Sequence, residues 1–195
     1  MPDDTKARII EAGAEIIRRQ GFNNTGIKDI LDAVGVPKGS FYHYFPSKEA
    51  FGLAVVEHHM AHLGAKVRQA LDRPDLGPLD RLRTFFAGAA ALQAGQGYAL
   101  GCPIGNLAQE MSDLSPAFRE RLDKALSGLA RPVAAILDEA RTAGELPEGL
   151  DPAETAAFIV SAWQGALLTM KVAKHSGPFA AFDRMIFGRL LARRP

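Results

Sequence analysis

Between residues 38 and 43 the chain sets a cation, a residue without a side chain, a hydroxyl and two hydrogen-bonding aromatics within two helical turns: Lys38, Gly39, Ser40, Tyr42 and His43. These residues suit a helix laid in the major groove of DNA. Lys and Tyr reach phosphates, Gly permits close approach, and His meets base edges or the thymine methyl. Phe41 and Phe45, four residues apart, face the other way and anchor the helix to a core.

Such a helix needs a scaffold. Just upstream, Ile27, Ile30, Leu31 and Val34 repeat at the spacing of one helical face. Gly35 supplies the permissive backbone of a sharp reversal, and Pro37 suits the first position of the next helix. Thr25 is expected to start the first of these two helices, its hydroxyl capping the backbone at an end that also meets phosphate. Before it, Asp3, Asp4 and Thr5 place cap-type side chains ahead of a stripe of Ile9, Ala12, Gly13, Ile16 and Ile17 that ends at Gly21. Downstream, Pro46-Ser47-Lys48-Glu49 opens a long helix through Phe51, Val55, His59 and Leu63 to about Ala70, a lever between this reader and the rest of the chain.

The run Gly35-Val36-Pro37-Lys38-Gly39-Ser40-Phe41-Tyr42-His43-Tyr44-Phe45-Pro46-Ser47-Lys48-Glu49-Ala50, with Gly21-Phe22-Asn23-Asn24-Thr25 and Asp29-Ile30 before it, closely resembles the signature of TetR-type transcriptional regulators. The resemblance covers roughly residues 5 to 60, and includes turn, recognition helix and following helix start. It implies an all-α protein: an N-terminal three-helix helix-turn-helix domain over 1–48, with the lever helix from about 47, and a C-terminal helical ligand-binding and dimerisation domain over 49–195. It further implies a cytoplasmic homodimeric repressor that binds double-stranded operator DNA and answers to a small-molecule effector. Carried over by position, Thr25 and Lys48 resemble phosphate contacts, and Lys38, Gly39, Tyr42 and His43 resemble groove-facing contacts; Lys28, Ser40 and Tyr44 join them.

Composition narrows the alternatives. Among 195 residues, 47% are hydrophobic and the net charge is only +1, so neither disorder nor an overall basic field is indicated. Residues 1–50 hold seven Lys/Arg and seven Asp/Glu, so DNA affinity must rest on local placement of Lys28, Lys38 and Lys48. One cysteine excludes an internal disulfide and fits a reducing compartment. The N-terminus carries no signal pattern. The most apolar run, Ala156 to Met170, falls short of the roughly 20 residues of a membrane span and reads as a buried helix. No Gly-x-Ser-x-Gly turn or other catalytic spacing is present, which argues against an enzyme. His58 and His62 are four apart, but no third and fourth ligand accompanies them, so no metal is expected and no cofactor.

The second half reads as further helices. Arg73 to Pro78 is a break, and Leu79 to about Gln96 carries an apolar face through Leu82, Phe85, Phe86, Ala89 and Leu92. Gly95, Gly97, Gly101 and Gly105 then predict an irregular, responsive segment. Pro103 favours a first helical position, which puts Cys102 at the cap, where the positive end of a helix favours the thiolate; a buried, inert cysteine is the alternative. The segment around Cys102 also resembles the Gly-Cys stretch of TetR-type repressors that sense electrophiles and oxidants. In those a lysine follows a Trp-x-Gly-Ala run, as Lys171 follows Trp163-Gln164-Gly165-Ala166 here. Ser115-Pro116 starts a helix to about Ala143, kinked or divided by Pro132. Asp151-Pro152 starts another that is apolar nearly all round, and Phe179, Phe182, Met185, Ile186 and Leu190 stripe a last one ending in Arg189, Arg193 and Arg194. These last two are the expected dimer interface, a four-helix bundle with their copies. Phe85, Phe86, Tyr98, Cys102, Met111, Phe118, Trp163, Gln164 and Met170 are the candidate walls of a ligand pocket.

Overall fold

The computed structural model describes residues 2–192, and side chains over residues 4–192. The described residues form helices joined by turns: α1 (Pro2–Gln20), α2 (Ile27–Val34), α3 (Lys38–Tyr44), α4 (Lys48–Leu71), α5 (Pro78–Gly95), α6 (Pro103–Met111), α7 (Pro116–Thr142), α8 (Pro152–Ala173) and α9 (Gly177–Met185). A π-helical turn over Ile186–Leu190 continues α9. The chain divides into two compact units. The first holds the residues up to His62 together with Pro103–Ala125; the second holds Leu63–Cys102 and the chain from Leu126 onward.

The first unit is built around aromatic rings. Phe41, Phe45 and Phe51 are buried and lie 5.1–5.4 Å apart centre to centre. Ile9, Ile17, Ile30 and Leu31 are buried in the same unit. Two glycines make room for these rings: a Cβ on Gly13 would stand 2.3 Å from Phe51 Cζ, and one on Gly52 would stand 2.5 Å from both Phe118 Cζ and Phe22 Cε2. Segment Pro103–Ala125 joins this unit from the middle of the chain. Phe118 meets Phe22 edge-on at 5.2 Å, and Ser115 donates its hydroxyl to Glu49 while accepting from the Phe118 N–H at 3.1 Å. Ser115 thus caps α7, as its sequence predicts. Pro132 sits inside α7 without dividing it.

His59 of α4 lies in this unit with Nε2 buried and without a hydrogen-bond partner. Desolvation, then the neighbouring His58, Arg18 and His62, push its pKa down to about 4, against the opposing field of Glu15. His58 is lowered as well, chiefly by burial. The pair His58 and His62, rings 4.2 Å apart, is a packing contact. Among the described residues no three His, Cys, Asp or Glu side chains converge as metal ligands.

The second unit has its own aromatic centre. Phe86 of α5 lies 5.3 Å from Trp163 of α8 and 5.0 Å from Phe182 of α9. Arg83 on α5 clamps Asp183 on α9 with two bonds of 2.9 and 2.7 Å. Asp151 caps α8 by accepting from the Glu154 N–H at 2.8 Å. At 22 residues α8 is longer than the apolar run in its sequence, and length and composition alone would let it cross a membrane. Its packing says otherwise for one face only: Ile159, Trp163, Leu167 and Met170 are buried, whereas Phe158, Leu168 and Val172 are 58%, 55% and 77% exposed.

Several expectations are corrected. The first helix starts at Pro2, so Asp4 and Thr5 lie within its first turn; the side chain of Asp3 lies outside the described residues, as do Arg193 and Arg194. Pro37 is the N-cap of α3 and not its first helical residue, because the Ser40 N–H already bonds to its carbonyl at 2.9 Å. Leu92 and Met185, expected in buried stripes, point to solvent, since their neighbours Phe86, Ala90, Phe182 and Ile186 take the packed face.

Candidate nucleic-acid interface

The reversal between α2 and α3 is made by Gly35 at φ 67, ψ 36, whose N–H closes on the Leu31 carbonyl. The Arg8 guanidinium of α1 donates to the Val34 carbonyl at 2.8 Å, satisfying an orphan acceptor at the end of α2. Nothing in the sequence points to this bond. With α2 so fixed, Phe41 at 0% exposure sets the rotation of α3. A seven-residue helix has little intrinsic stability, so its orientation is inherited from that ring.

Rotation about Phe41 leaves Lys38, Gly39, Tyr42 and His43 exposed on the opposite face, with Tyr42 at 51%. A Cβ on Gly39 would meet nothing within 4 Å, so the glycine opens a flat approach. Ser40 and Tyr44 are half-buried at the flanks; the Tyr44 ring packs edge-on to His43 at 4.8 Å. Lys38, Tyr42, Lys28 and Lys48 line one groove of about 1020 Å³ together with Asn23, Asn24, Gly26 and Pro37. The structure therefore brings most of the expected contact residues to one surface.

Three of them differ from expectation in detail. Thr25 is only 1% exposed, and its hydroxyl donates to the Gly21 carbonyl at 2.6 Å. The N-cap of α2 is Gly26, whose N–H is accepted by Asp29 at 2.9 Å; Thr25 instead ties the end of α1 to the start of α2. Lys28 is ion-paired with Asp32 one turn on, which raises its pKa. An exposed pair of this kind is weak, so a phosphate competes for the lysine with little penalty. Lys48 donates to the Asn23 carbonyl at 3.4 Å and stands 4.6 Å above the Phe22 ring. Partial burial lowers its pKa and the field of Glu110 opposes that.

The candidate pocket residues are less united. Met111 and Phe118 belong to the first unit, where Phe118 is core. In the second unit, Phe86 and Trp163 are also core rings, Phe85 lies 5.1 Å from Phe86, and Met170 is buried. Cys102 is buried directly ahead of α6, and the Gln164 amide donates to its sulfur at 3.4 Å. The loop before it is held by two residues in the left-handed region, Tyr98 and Lys174, joined by a 3.3 Å bond from Lys174 Nζ to the Tyr98 carbonyl. Lys171 lies two turns beyond Gln164 on α8, about 10 Å along the axis.

Known proteins resemble this chain over most of its length. The family model described as "Bacterial regulatory proteins, tetR family" matches residues 9–55, and that described as "Tetracyclin repressor-like, C-terminal domain" matches residues 78–186. The transcriptional regulator AcuR of Cereibacter sphaeroides is 38% identical over 195 residues, covering 99% of this chain and 89% of the relative. The solved regulatory protein TetR from Rhodobacter sphaeroides superposes with a TM-score of 0.88 at 38% identity, covering 95% of this chain and 98% of that one. The reduced form of NemR from Escherichia coli, an HTH-type transcriptional repressor, superposes with a TM-score of 0.88 at 29% identity over 98% of this chain and 100% of its own.

Proposed function

The chain belongs to the TetR family of bacterial regulatory proteins, and from that premise we propose a homodimeric repressor that reads operator DNA through α3 and leaves it when an effector is bound. It is a DNA-binding transcription regulator and not an enzyme. Reading belongs to residues 1–48; effector recognition and dimerisation belong to 49–195. The single observation that carries the DNA reading is the clamped α3: Phe41 buried on one side, Lys38, Gly39, Tyr42 and His43 presented on the other.

The roles divide by chemistry. Tyr42 and Lys38 hold phosphate, Gly39 allows close approach, and His43 meets base edges. Ser40 and Tyr44 flank these contacts, Lys48 and Lys28 neutralise phosphates beside them, and Thr25 acts by holding the start of α2. With a net charge of +1, affinity depends on this local set. Two such helices related by a two-fold enter successive major grooves about 34–36 Å apart. Tyr42→Ala is expected to weaken binding by roughly tenfold on all sequences alike, whereas His43→Ala changes which sequence is preferred. Gel shifts over a panel of duplexes read both; unchanged affinity and preference in both variants would contradict the assignment.

Release follows to the extent that effector binds the two states of the regulator unequally. Phe85, Tyr98, Cys102, Trp163, Gln164 and Met170 of the second unit are the walls proposed for it. The protein acts in the cytoplasm, where its operator lies.

A second reading rests on Cys102 itself: modification of the thiol, with Lys171 as its basic partner on α8, takes the place of a diffusible ligand. The Gln164 contact to the sulfur and the likeness to a repressor solved in a reduced form favour it. Cys102→Ser separates the two. Loss of the response to N-ethylmaleimide with DNA binding intact supports the thiol reading, and an unchanged response rejects it.

A further inference from the structure

Glu110 stands in the last turn of α6, outside the residues that line the groove, and its field reaches Lys48. Its carboxylate accepts from the Asn23 N–H at 3.1 Å. It also passes so close to Gly21 that a Cβ there would stand 2.7 Å from Oε1. Gly21, at φ +88, would be strained by any side chain, and a Cβ there would displace the Glu110 carboxylate. The turn between α1 and α2 is therefore held by an acidic side chain far away in sequence. The same turn carries the groove residues Asn23, Asn24, Gly26 and Lys28, and Lys48 is bonded to the Asn23 carbonyl within the field of Glu110. Asn23 is thus gripped at both ends of its backbone, its N–H by Glu110 and its carbonyl by Lys48.

We propose that Glu110 is a positioning residue for DNA binding: its carboxylate fixes the Gly21–Asn23 backbone and so places Lys48 and the start of α2 against phosphate. The inference rests on the reading of that groove as the phosphate contact. The bond is charge-assisted and directional, so a shift of α6 by about 1 Å breaks it.

The test uses the full-length protein, a short duplex selected in vitro by the wild type from random sequence, and an unrelated duplex of equal length. Fluorescence anisotropy over a salt series compares Glu110→Ala, Glu110→Gln, Lys48→Ala and the Glu110→Ala, Lys48→Ala double variant. Glu110→Ala is expected to weaken both duplexes by roughly tenfold and to reduce the salt slope by about one, the signature of one lost phosphate contact. In the Lys48→Ala background the same change should cost no more than about threefold, because the contact it places is already gone. Glu110→Gln, which keeps an oxygen for the Asn23 N–H, should bind within about threefold of wild type and stays informative if the alanine variant does not fold. Tighter binding by Glu110→Gln or Glu110→Ala overturns the proposal, since the carboxylate would then be repelling phosphate. An equal loss in both backgrounds at an unchanged slope overturns it too, as a general loss of structure. Tyr42→Ala and Lys38→Ala serve as controls: weakening in them with Glu110→Ala silent sinks the role of Glu110 alone, whereas silence in all three sinks the DNA reading and this proposal with it.

Discussion

Phe158→Glu combined with Leu168→Glu is expected to leave a folded single subunit whose operator affinity falls by about a hundredfold or more. Phe158, Ser161, Gly165, Leu168 and Val172 all lie on the exposed face of α8, spaced three and four apart. A Cβ on Gly165 would meet nothing within 4 Å, so a second helix can come close there. Covering a Phe or Leu yields about 1.5–3 kcal/mol each, and burying a carboxylate in its place costs several more. A two-fold axis repeats both changes in the partner, so the loss is doubled. The consequence for DNA follows from bivalency: a tethered second reader raises apparent affinity by about 10²–10⁴ over a single one. Light scattering reads the mass and anisotropy reads the binding. A double variant that remains a dimer with wild-type affinity places the interface elsewhere. The substitutions are at exposed positions, so the melting temperature of the subunit should change little beyond the loss of dimer linkage.

Phe41→Ala should be the most damaging change in the reader. The ring is fully buried and touches Tyr42, Phe45 and Phe51, all at 5.4–5.5 Å. Removing such a ring costs about 3–5 kcal/mol through lost burial and the cavity left behind. That is a large share of the roughly 5–15 kcal/mol that holds a domain together. Because α3 has only seven residues, it does not persist without its anchor. DNA binding is expected to disappear, with the aromatic near-ultraviolet circular dichroism of the first unit reduced and the second unit's tryptophan fluorescence, from Trp163, unchanged. Full operator affinity in the alanine variant would show that α3 takes its orientation from elsewhere. Phe41→Leu, which restores most of the volume, should recover part of the binding.

Much of the reader is legible in its residues alone. The periodic set Ile27, Ile30, Leu31 and Val34 and the pair Phe41 with Phe45 mark both of its helices, because one face of each must be apolar to be held at all. Gly35 marks the reversal because only a residue without a Cβ enters the left-handed region at little cost. Ser47, Ser115 and Asp151 mark three helix starts, and each side chain does accept the backbone N–H three residues on. Thr25 misleads for a local reason: threonine is a good cap, but its hydroxyl bonds to the Gly21 carbonyl and leaves the cap to Gly26. Leu92 misleads because periodicity marks an apolar stripe without telling which part of it finds a partner.

By itself, then, the amino-acid order determined what is local: helix starts, the turn, the buried stripe, and the exposed chemistry of Lys38, Tyr42 and His43 that is left over when that stripe is packed. Tertiary structure alone decided what joins distant stretches of chain. It put the carboxylate of Glu110 on Asn23, the guanidinium of Arg8 on Val34, the amide of Gln164 on Cys102, and the ring of Phe118 against Phe22. The reason is physical: a cap or a stripe is set by neighbours within about one helical turn, whereas these contacts depend on which surfaces are buried against each other once the helices have formed.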